Sequence, residues 1–308
     1  MPFSVRRYEL IFTLVRLLPL SNGCLRAYNM LGSGVCFRRA DRALRLRKRK
    51  VDDMGKRNNQ RYIVSKWAKT KALLPNRSIA KHIPDTRVIT RNSLQDMLYQ
   101  YGMVYVKPDN GTYGNGVMRV ERESGPGGIR YRYQAGTRVR TFNSYEAMYN
   151  SIKKLIGKRK YLIQKGIHLL KYNNRRFDLR VMVQQSPSKR WVTTGIIGRV
   201  AAKRKVVTNV HNGGTLLPFE TLLKGHTGAA RRRGLFQGLK RLGLSVAEQM
   251  KTRYAGIKEL GLDVALDRKL YPWILEVNTA PDPFIFKKLK DKRIYRRIYH
   301  YSKAYGRL

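Results

Sequence analysis

VYVKPDNGTYGNGV, residues 104–117, ends a short apolar run on a lysine and follows it with Gly111, Gly114 and Gly116. Met103 to Lys107 reads as a strand, Gly116 to Arg122 resumes an extended pattern, and the glycines between them make the connection of a hairpin. Backbone N–H groups in such a loop approach a triphosphate with no Cβ in the way, while Lys107 supplies charge. A tight hairpin connection would use the same glycines, so the loop by itself leaves both readings open. It is not a Walker loop, because no Gly-Lys-Ser/Thr opens a helix.

Toward the C-terminus the matching stretch is WILEVNTAP, residues 273–281, preceded by GLDVALD, residues 261–267. Glu276 and Asn278 are two residues apart on one strand and share a face, and Asp263 on the neighbouring strand can face the same point. Hard Mg²⁺ takes oxygen ligands of this kind together with phosphate and water. A carboxylate inside Ile274-Leu275-Glu276-Val277 is costly to bury unless paired or metal-bound; the bland alternative is a strand face in water. Between these two stretches lies FDLRVMVQ, residues 177–184, where Asp178 and Arg180 alternate onto one face, followed by Arg199 and by NVHNGG, residues 209–214. His211 in that last segment suits either a phosphate or substrate contact or a loop histidine bonded to backbone.

Coarser patterning surrounds these motifs. Trp67 to Leu74 has helical spacing and stops at Pro75, Ser93 reads as the N-cap of a helix to Tyr101, and Ser144 caps a helix to Ile156 that Gly157 ends. Tyr161 to Gln164 is a strand. Phe177 to Gln185 and Trp191 to Ala201 are extended and separated by turn residues, and Leu244 to Leu260 is the longest amphipathic helix. Leu262 to Leu266 and Trp273 to Val277 form a second hairpin. This order predicts an α+β fold with no regular βαβ alternation.

Composition bounds the partners. The chain has 308 residues, 42% of them hydrophobic, which supplies a core and excludes an intrinsically disordered protein. With 65 Lys and Arg against 19 Asp and Glu the formal charge is +46, more than a nucleotide alone requires. Nucleic acid, an anionic polymer or an acidic peptide would each be attracted in a salt-dependent way. Cys24 and Cys36 lack the companions of a metal site and are expected as reduced thiols. The apolar stretch from Leu10 to Leu20 contains Arg16 and Pro19 and is too short to span a bilayer; as a signal-like segment it lacks a small-residue cleavage site, so cytoplasmic residence is expected. Residues 1–60 form a basic N-terminal extension, expected to be disordered or, over its first 53 residues, to precede a true start at Met54. Residues 291–308 form a basic aromatic tail, expected to dock as a closing helix, with anion binding as the alternative.

The ordered set of lysine and glycine loop, Asp-x-Arg, Arg199-x-Ala201, Asn209-x-His-x-Gly-Gly and the carboxylate pair resembles the ATP-grasp superfamily. It is similar in particular to the spore-coat-associated YheC/YheD-type branch, and residues 178–214 also look like ATP-grasp ligases that add glutamate to protein termini. The likeness runs from Tyr62 to Phe286, within an expected domain of residues 62–290. It implies an ATP-grasp fold, two α+β subdomains clasping ATP. Lys107 would contact the α- and β-phosphates and the loop from Asp109 to Gly116 would close as a lid. Lys66 in SKWAKTK would be a second nucleotide lysine, with Lys69 and Lys71 competing for that role. Adenine would sit against the hinge from Tyr161 to Ile167, bonded by backbone atoms of Lys165 and Ile167 beside the Gln164 side chain. Gly111, Gly114, Gly116, Asp178 and Asn209 complete the implied nucleotide set. Asp263, Glu276 and Asn278 would hold Mg²⁺, and Arg180 and Arg199 would be the catalytic cations.

The same resemblance implies a carboxylate–amine ligase that works through an acylphosphate, here on an acidic peptide or polymer. A non-catalytic, ATP-binding protein of the spore envelope and a basic nucleic-acid-binding protein are the alternatives. Two departures from the family pattern stand out. Residues 168–172, HLLKY, lack the acidic residue that often binds ribose, and Pro281 is followed by Asp282 and Pro283 where glycine is usual.

Overall fold

Alternation along the central strand decides which side chains meet solvent, core and site. A computed structural model describes residues 60–203, 205, 208 and 213–308. In it β8 (Arg175–Gln185) sends Phe177, Leu179, Val181 and Val183 into one apolar cluster, while Met182 belongs to another on the opposite face. Asp178 and Arg180 share that opposite face by the period-2 rule. β8 is buried on both sides along most of its length, so its polar residues exist only where partners or a cavity receive them.

Around β8 the second sheet takes the order β10 (Thr215–Leu217), β9 (Trp191–Val200), β8, β11 (Glu259–Leu266), β12 (Pro272–Asn278), with the short β7 (Lys171–Tyr172) also on β8. The first sheet runs β1 (Thr86–Val88), β6 (Tyr161–Lys165), β2 (Met103–Pro108), β3 (Met118–Gly125), β4 (Gly128–Ala135), β5 (Arg138–Phe142). Every pairing in both sheets is antiparallel, as the α+β reading requires. Both expected hairpins are present, β2 on β3 and β11 on β12.

Each sheet has its own core. α3 (Arg91–Tyr101) and α4 (Tyr145–Ile156) cover the first, contributing Leu94, Met97, Leu98, Met148 and Ile152. α1 (Lys66–Leu73), α2 (Arg77–Ala80), α5 (Phe219–Leu223) and α6 (Ala229–Arg253) cover one face of the second. On its other face lie a 3₁₀ turn, Phe284–Lys288, and α7 (Lys292–Ala304), with Phe286, Leu289 and Ile298 packed on Met182 and Ile197. The basic tail is thus a docked helix. Buried Gln184 donates to Ile298 O at 3.2 Å, and buried Glu259 accepts from Tyr305 Oη at 2.8 Å and Arg307 Nε at 2.9 Å.

Two element boundaries differ from expectation. The cap of α3 is Thr90, with Ser93 at the third helical position completing a capping box, because the two hydroxyls serve each other's backbone N–H. The long helix is Ala229–Arg253 and not Leu244 to Leu260, whose last residues are β11. Arg231 to Arg233 together with Gly234, Gly238 and Gly243 blur its apolar period, and tertiary packing overrides their poor propensity. Gly243 is required by that packing: a Cβ there would lie 2.9 Å from Val183 Cγ2. No described helix is long and apolar enough to cross a membrane. Cys24, Cys36, the stretch from Leu10 to Leu20, Met54, Asn209 and His211 lie outside the described residues.

Candidate active site

Sequence order becomes geometry through strand register. Asp178 on β8 faces Arg199 on β9, Arg180 faces Asp263 on β11, and Asp263 faces Glu276 on β12. The result is a charged row across the second sheet. Arg199 binds Asp178 through two hydrogen bonds, Nε at 2.8 Å and an Nη at 2.6 Å, and reaches Asp263 at 3.0 Å. Arg180 Nε donates to Asp263 at 2.7 Å, and the Thr208 hydroxyl donates to Asp178 at 2.7 Å. Burial opposes charge on Arg199 and on Asp263. The facing partners override it, driving the guanidinium pKa up and the carboxyl pKa down.

Facing this row is a group of lysines with weaker partners. Lys107, at the end of β2, is buried and donates to Gln164 Oε1 and Leu275 O, both at 2.9 Å. Burial lowers its pKa to about 8, and neighbouring Lys66 and Lys69 add to the effect against the pull of Glu276. Burial likewise lowers Lys69. Lys66 Nζ donates to Gly111 O at 2.8 Å and stands 3.5 Å from Glu276, while Lys69 is 4.0 Å from the same carboxylate. The cations in this cluster, Lys66, Lys69, Lys107, Arg180 and Arg199, outnumber the carboxylates Asp178, Asp263 and Glu276. That excess of positive charge would attract an anion.

Asp109 fixes the glycine loop to α1. It accepts from Ser65 Oγ at 2.9 Å and from the Trp67 N–H at 2.8 Å, and its own carbonyl accepts from the Lys66 N–H at 3.0 Å. Burial acts to raise its pKa, but these donors and Lys160 hold it low. The tie sets Lys66 beside the loop root.

Between the two rows is a cavity of about 490 Å³. Lys66, Lys107, Gly111, Gly114, Gln164, Ile167, Asp178, Arg180, Arg199, Asp263, Glu276 and Asn278, all expected from sequence, line it. Gly116 and Lys165 do not. Gly116 has φ +74° and a Cβ there would meet the Tyr161 hydroxyl at 2.7 Å, so it serves the turn. Lys165 donates its backbone N–H to Asp85 O at 2.8 Å, and its ammonium lies over the rings of Tyr101 and Trp273. Lys71 likewise lies over the Trp67 ring, away from the lining.

Residues to which the sequence gave no site role also line the cavity: Tyr105, Leu169, Thr208, Leu275, and a distal wall from Ala280 to Ile285 with Arg307, of which Asp282 and Pro283 stood out only as a departure from the family pattern. Tyr105 could have been found as the same-face neighbour of Lys107 on β2. Arg307 arrives through the docking of α7, which the tail pattern announces without placing Arg307 at the cavity.

A family model for YheC/D-like ATP-grasp proteins matches residues 56–308. The chain belongs to the YheC/D-like ATP-grasp family. Among curated members it is 25% identical over 245 residues to the endospore coat-associated protein YheD of Bacillus subtilis strain 168, across 77% of this chain and 53% of that protein. To YheC of the same organism it is 24% identical over 224 residues, across 72% of this chain and 61% of that one. It therefore spans somewhat more than half the length of these ATP-grasp relatives. Its fold resembles the D-cycloserine synthetase DcsG, with a TM-score of 0.47, 11% identity and 78% and 70% of the two chains covered. It also resembles the N5-carboxyaminoimidazole ribonucleotide synthetase of Thermotoga maritima, with a TM-score of 0.42, 11% identity and 80% and 49% covered. The family match extends through α7, beyond the Phe286 limit expected from motifs.

The carboxylates fit a hard cation only in company. Among the described residues no group of three or more His, Cys, Asp or Glu side chains is arranged to hold a metal. Among the described residues Glu276 has its ammonium neighbours only at 3.5 and 4.0 Å, and Asn278 turns its amide nitrogen toward Gly261 O and Asp263, leaving the amide oxygen without a donor among those residues. Those two oxygens, with phosphate oxygens, suit Mg²⁺; Asp263 enters such a set already held by two arginines.

Proposed function

We propose that the protein is a Mg²⁺-dependent, ATP-consuming carboxylate–amine ligase whose carboxylate substrate belongs to an acidic peptide or polymer. The cavity that carries this reading joins the excess of cations, the glycine loop clamped to α1, and the oxygens of Glu276 and Asn278. Lys107, Lys66 and the loop N–H groups would bind the triphosphate, and the apolar side chains of Ile167, Leu169 and Leu275 with Tyr105 would receive the base. Glu276 and Asn278, with Asp263 behind them, would hold Mg²⁺, which supplies charge neutralisation at the phosphates.

Arg180 and Arg199, fixed by Asp178 and Asp263, stand where charge develops. A substrate carboxylate oxygen attacks the γ-phosphorus and the bond to the ADP oxygen breaks. An amine then attacks the acylphosphate carbonyl, phosphate leaves, and the amine proton passes to phosphate or water. The arginines need no reorganisation during either step, which is the source of electrostatic catalysis. The charge of +46 raises the local concentration of a polyanionic substrate. The coat association in the relatives' names supports a spore location for this activity.

Hydroxylamine trapping tests the reaction. With ATP, Mg²⁺ and poly-L-glutamate the parent should form protein-dependent hydroxamate and ADP, and Glu276→Ala should lose both. ATP binding without any hydroxamate would reject ligation on acidic polymers and favour the non-catalytic alternative.

A further inference from the structure

The distal wall of the cavity has a chemistry unlike the rest. Four carboxylates line the cavity, and three of them have cations within 4 Å: Asp178 has Arg199, Asp263 has Arg180 and Arg199, and Glu276 has Lys66 and Lys69. Asp282 is half-buried and has no basic partner among the described residues. Its Oδ1 accepts from the Phe284 N–H at 2.8 Å, which orients the carboxyl and leaves Oδ2 without a hydrogen bond among the described residues. In a chain with 65 Lys and Arg, a cavity-lining carboxylate without a cation departs sharply from the surrounding charge. Arg307, the other charged residue of this wall, is already held by Glu259 at 2.9 Å.

Around Asp282 the wall is apolar: Pro281 and Pro283 are buried, Phe284 is 44% exposed and Ile285 half-buried. A hard divalent cation needs several oxygens, which prolines and phenylalanine do not offer. An ammonium on an apolar body needs one carboxylate and a hydrophobic surface. We propose that Asp282 is the recognition residue for the amine substrate, and that this substrate is a primary amine carried on an apolar or aromatic group.

The inference rests on the ligase reading and deepens it: the polyanion supplies the carboxylate, and the wall from Pro281 to Ile285 receives the amine. Asp282 binds the ammonium form and holds its nitrogen on the distal side of the cavity; the amine must lose a proton to react, and phosphate or water takes it.

Phenethylamine is the probe, with 2-phenylethanol as its neutral counterpart. Both are titrated by calorimetry into the full chain without nucleotide, for the parent and for Asp282→Asn, which keeps the acceptor for Phe284. The parent should prefer the amine, and Asp282→Asn should lower the amine-to-alcohol affinity ratio about tenfold, the size expected for one charge-assisted hydrogen bond. Thermal unfolding checks that the variant is folded. An unchanged ratio, or no amine preference in the parent, overturns the proposal. So does a loss in Asp282→Asn of Mn²⁺ affinity with amine affinity retained, which would make the residue a metal ligand. ATP binding measured on the same preparation reads the ligase proposal separately, because the amine titration contains no nucleotide.

Discussion

The two walls of the cavity carry similar numbers of cations in opposite states. Arg180 and Arg199 on the second sheet are matched to Asp178 and Asp263 at hydrogen-bond distance. Lys66, Lys69 and Lys107 rest on neutral oxygens or stand 3.5 Å or more from their one carboxylate. The arginine wall is paired within itself and ties together the three interior strands β9, β8 and β11. The lysine wall lacks such close pairing, and burial, with Lys66 and Lys69 nearby, lowers the Lys107 pKa to about 8. In the proposed function the lysine wall binds the triphosphate and the arginine wall stabilises developing charge.

The largest effect should come from breaking the paired wall. Arg199→Ala leaves Asp178 without its cation, with the Thr208 hydroxyl as its remaining donor, and leaves Asp263 to Arg180; loss of one partner from a buried pair costs about 3–5 kcal/mol, to be read by denaturant unfolding. A drop below about 1 kcal/mol would mean that water already solvates the row. Lys107→Met should invert that pattern. It removes a buried ammonium, so unfolding free energy should not fall at pH 7, whereas ATP affinity should weaken about tenfold or more for loss of a charge-assisted contact.

The pH dependence follows from the same lysine. Its folded pKa lies below its unfolded value of 10.5, so the unfolded chain binds more protons between the two. Its contribution to stability therefore falls as pH drops from about 10.5 to about 8 and is level below that. Anion binding favours the protonated amine. ATP affinity should decline as pH rises through about 8, with proton uptake on binding near that pH, and Lys107→Met should abolish this step in a titration series. The smallest effect is at the loop anchor, where Ser65→Ala removes the cap of α1 and should cost about 1 kcal/mol, loosening Lys66 with it.

Legibility in the sequence divided along similar lines. The charged row could be read because strand alternation and hairpin spacing are local: Asp178 with Arg180, and Glu276 with Asn278, follow from period 2. α6 was foreshortened because its glycines and arginine run serve packing against β8 and obscure the period. The resemblance implies an adenine contact through the Lys165 backbone with the Gln164 side chain nearby; Gln164 lines the cavity, while the Lys165 N–H is engaged by Asp85 O, a long-range contact that the strand pattern does not announce. The clamp of Asp109 on α1, and the places of Thr208 and Arg307, gave no local signal, since each acts on a partner between 30 and 48 residues away. The Asp-Pro after Pro281 did register as a departure from family pattern, and the cavity wall gives that departure a physical content.

Calorimetric titration of ATP with and without Mg²⁺ is the most direct test of the central claim that these walls form a nucleotide site. The parent should bind ATP in a Mg²⁺-dependent manner, and the double variant Lys107→Ala with Glu276→Ala should not. A well-folded parent that binds no ATP, or a double variant that binds it as tightly as the parent, would contradict the claim.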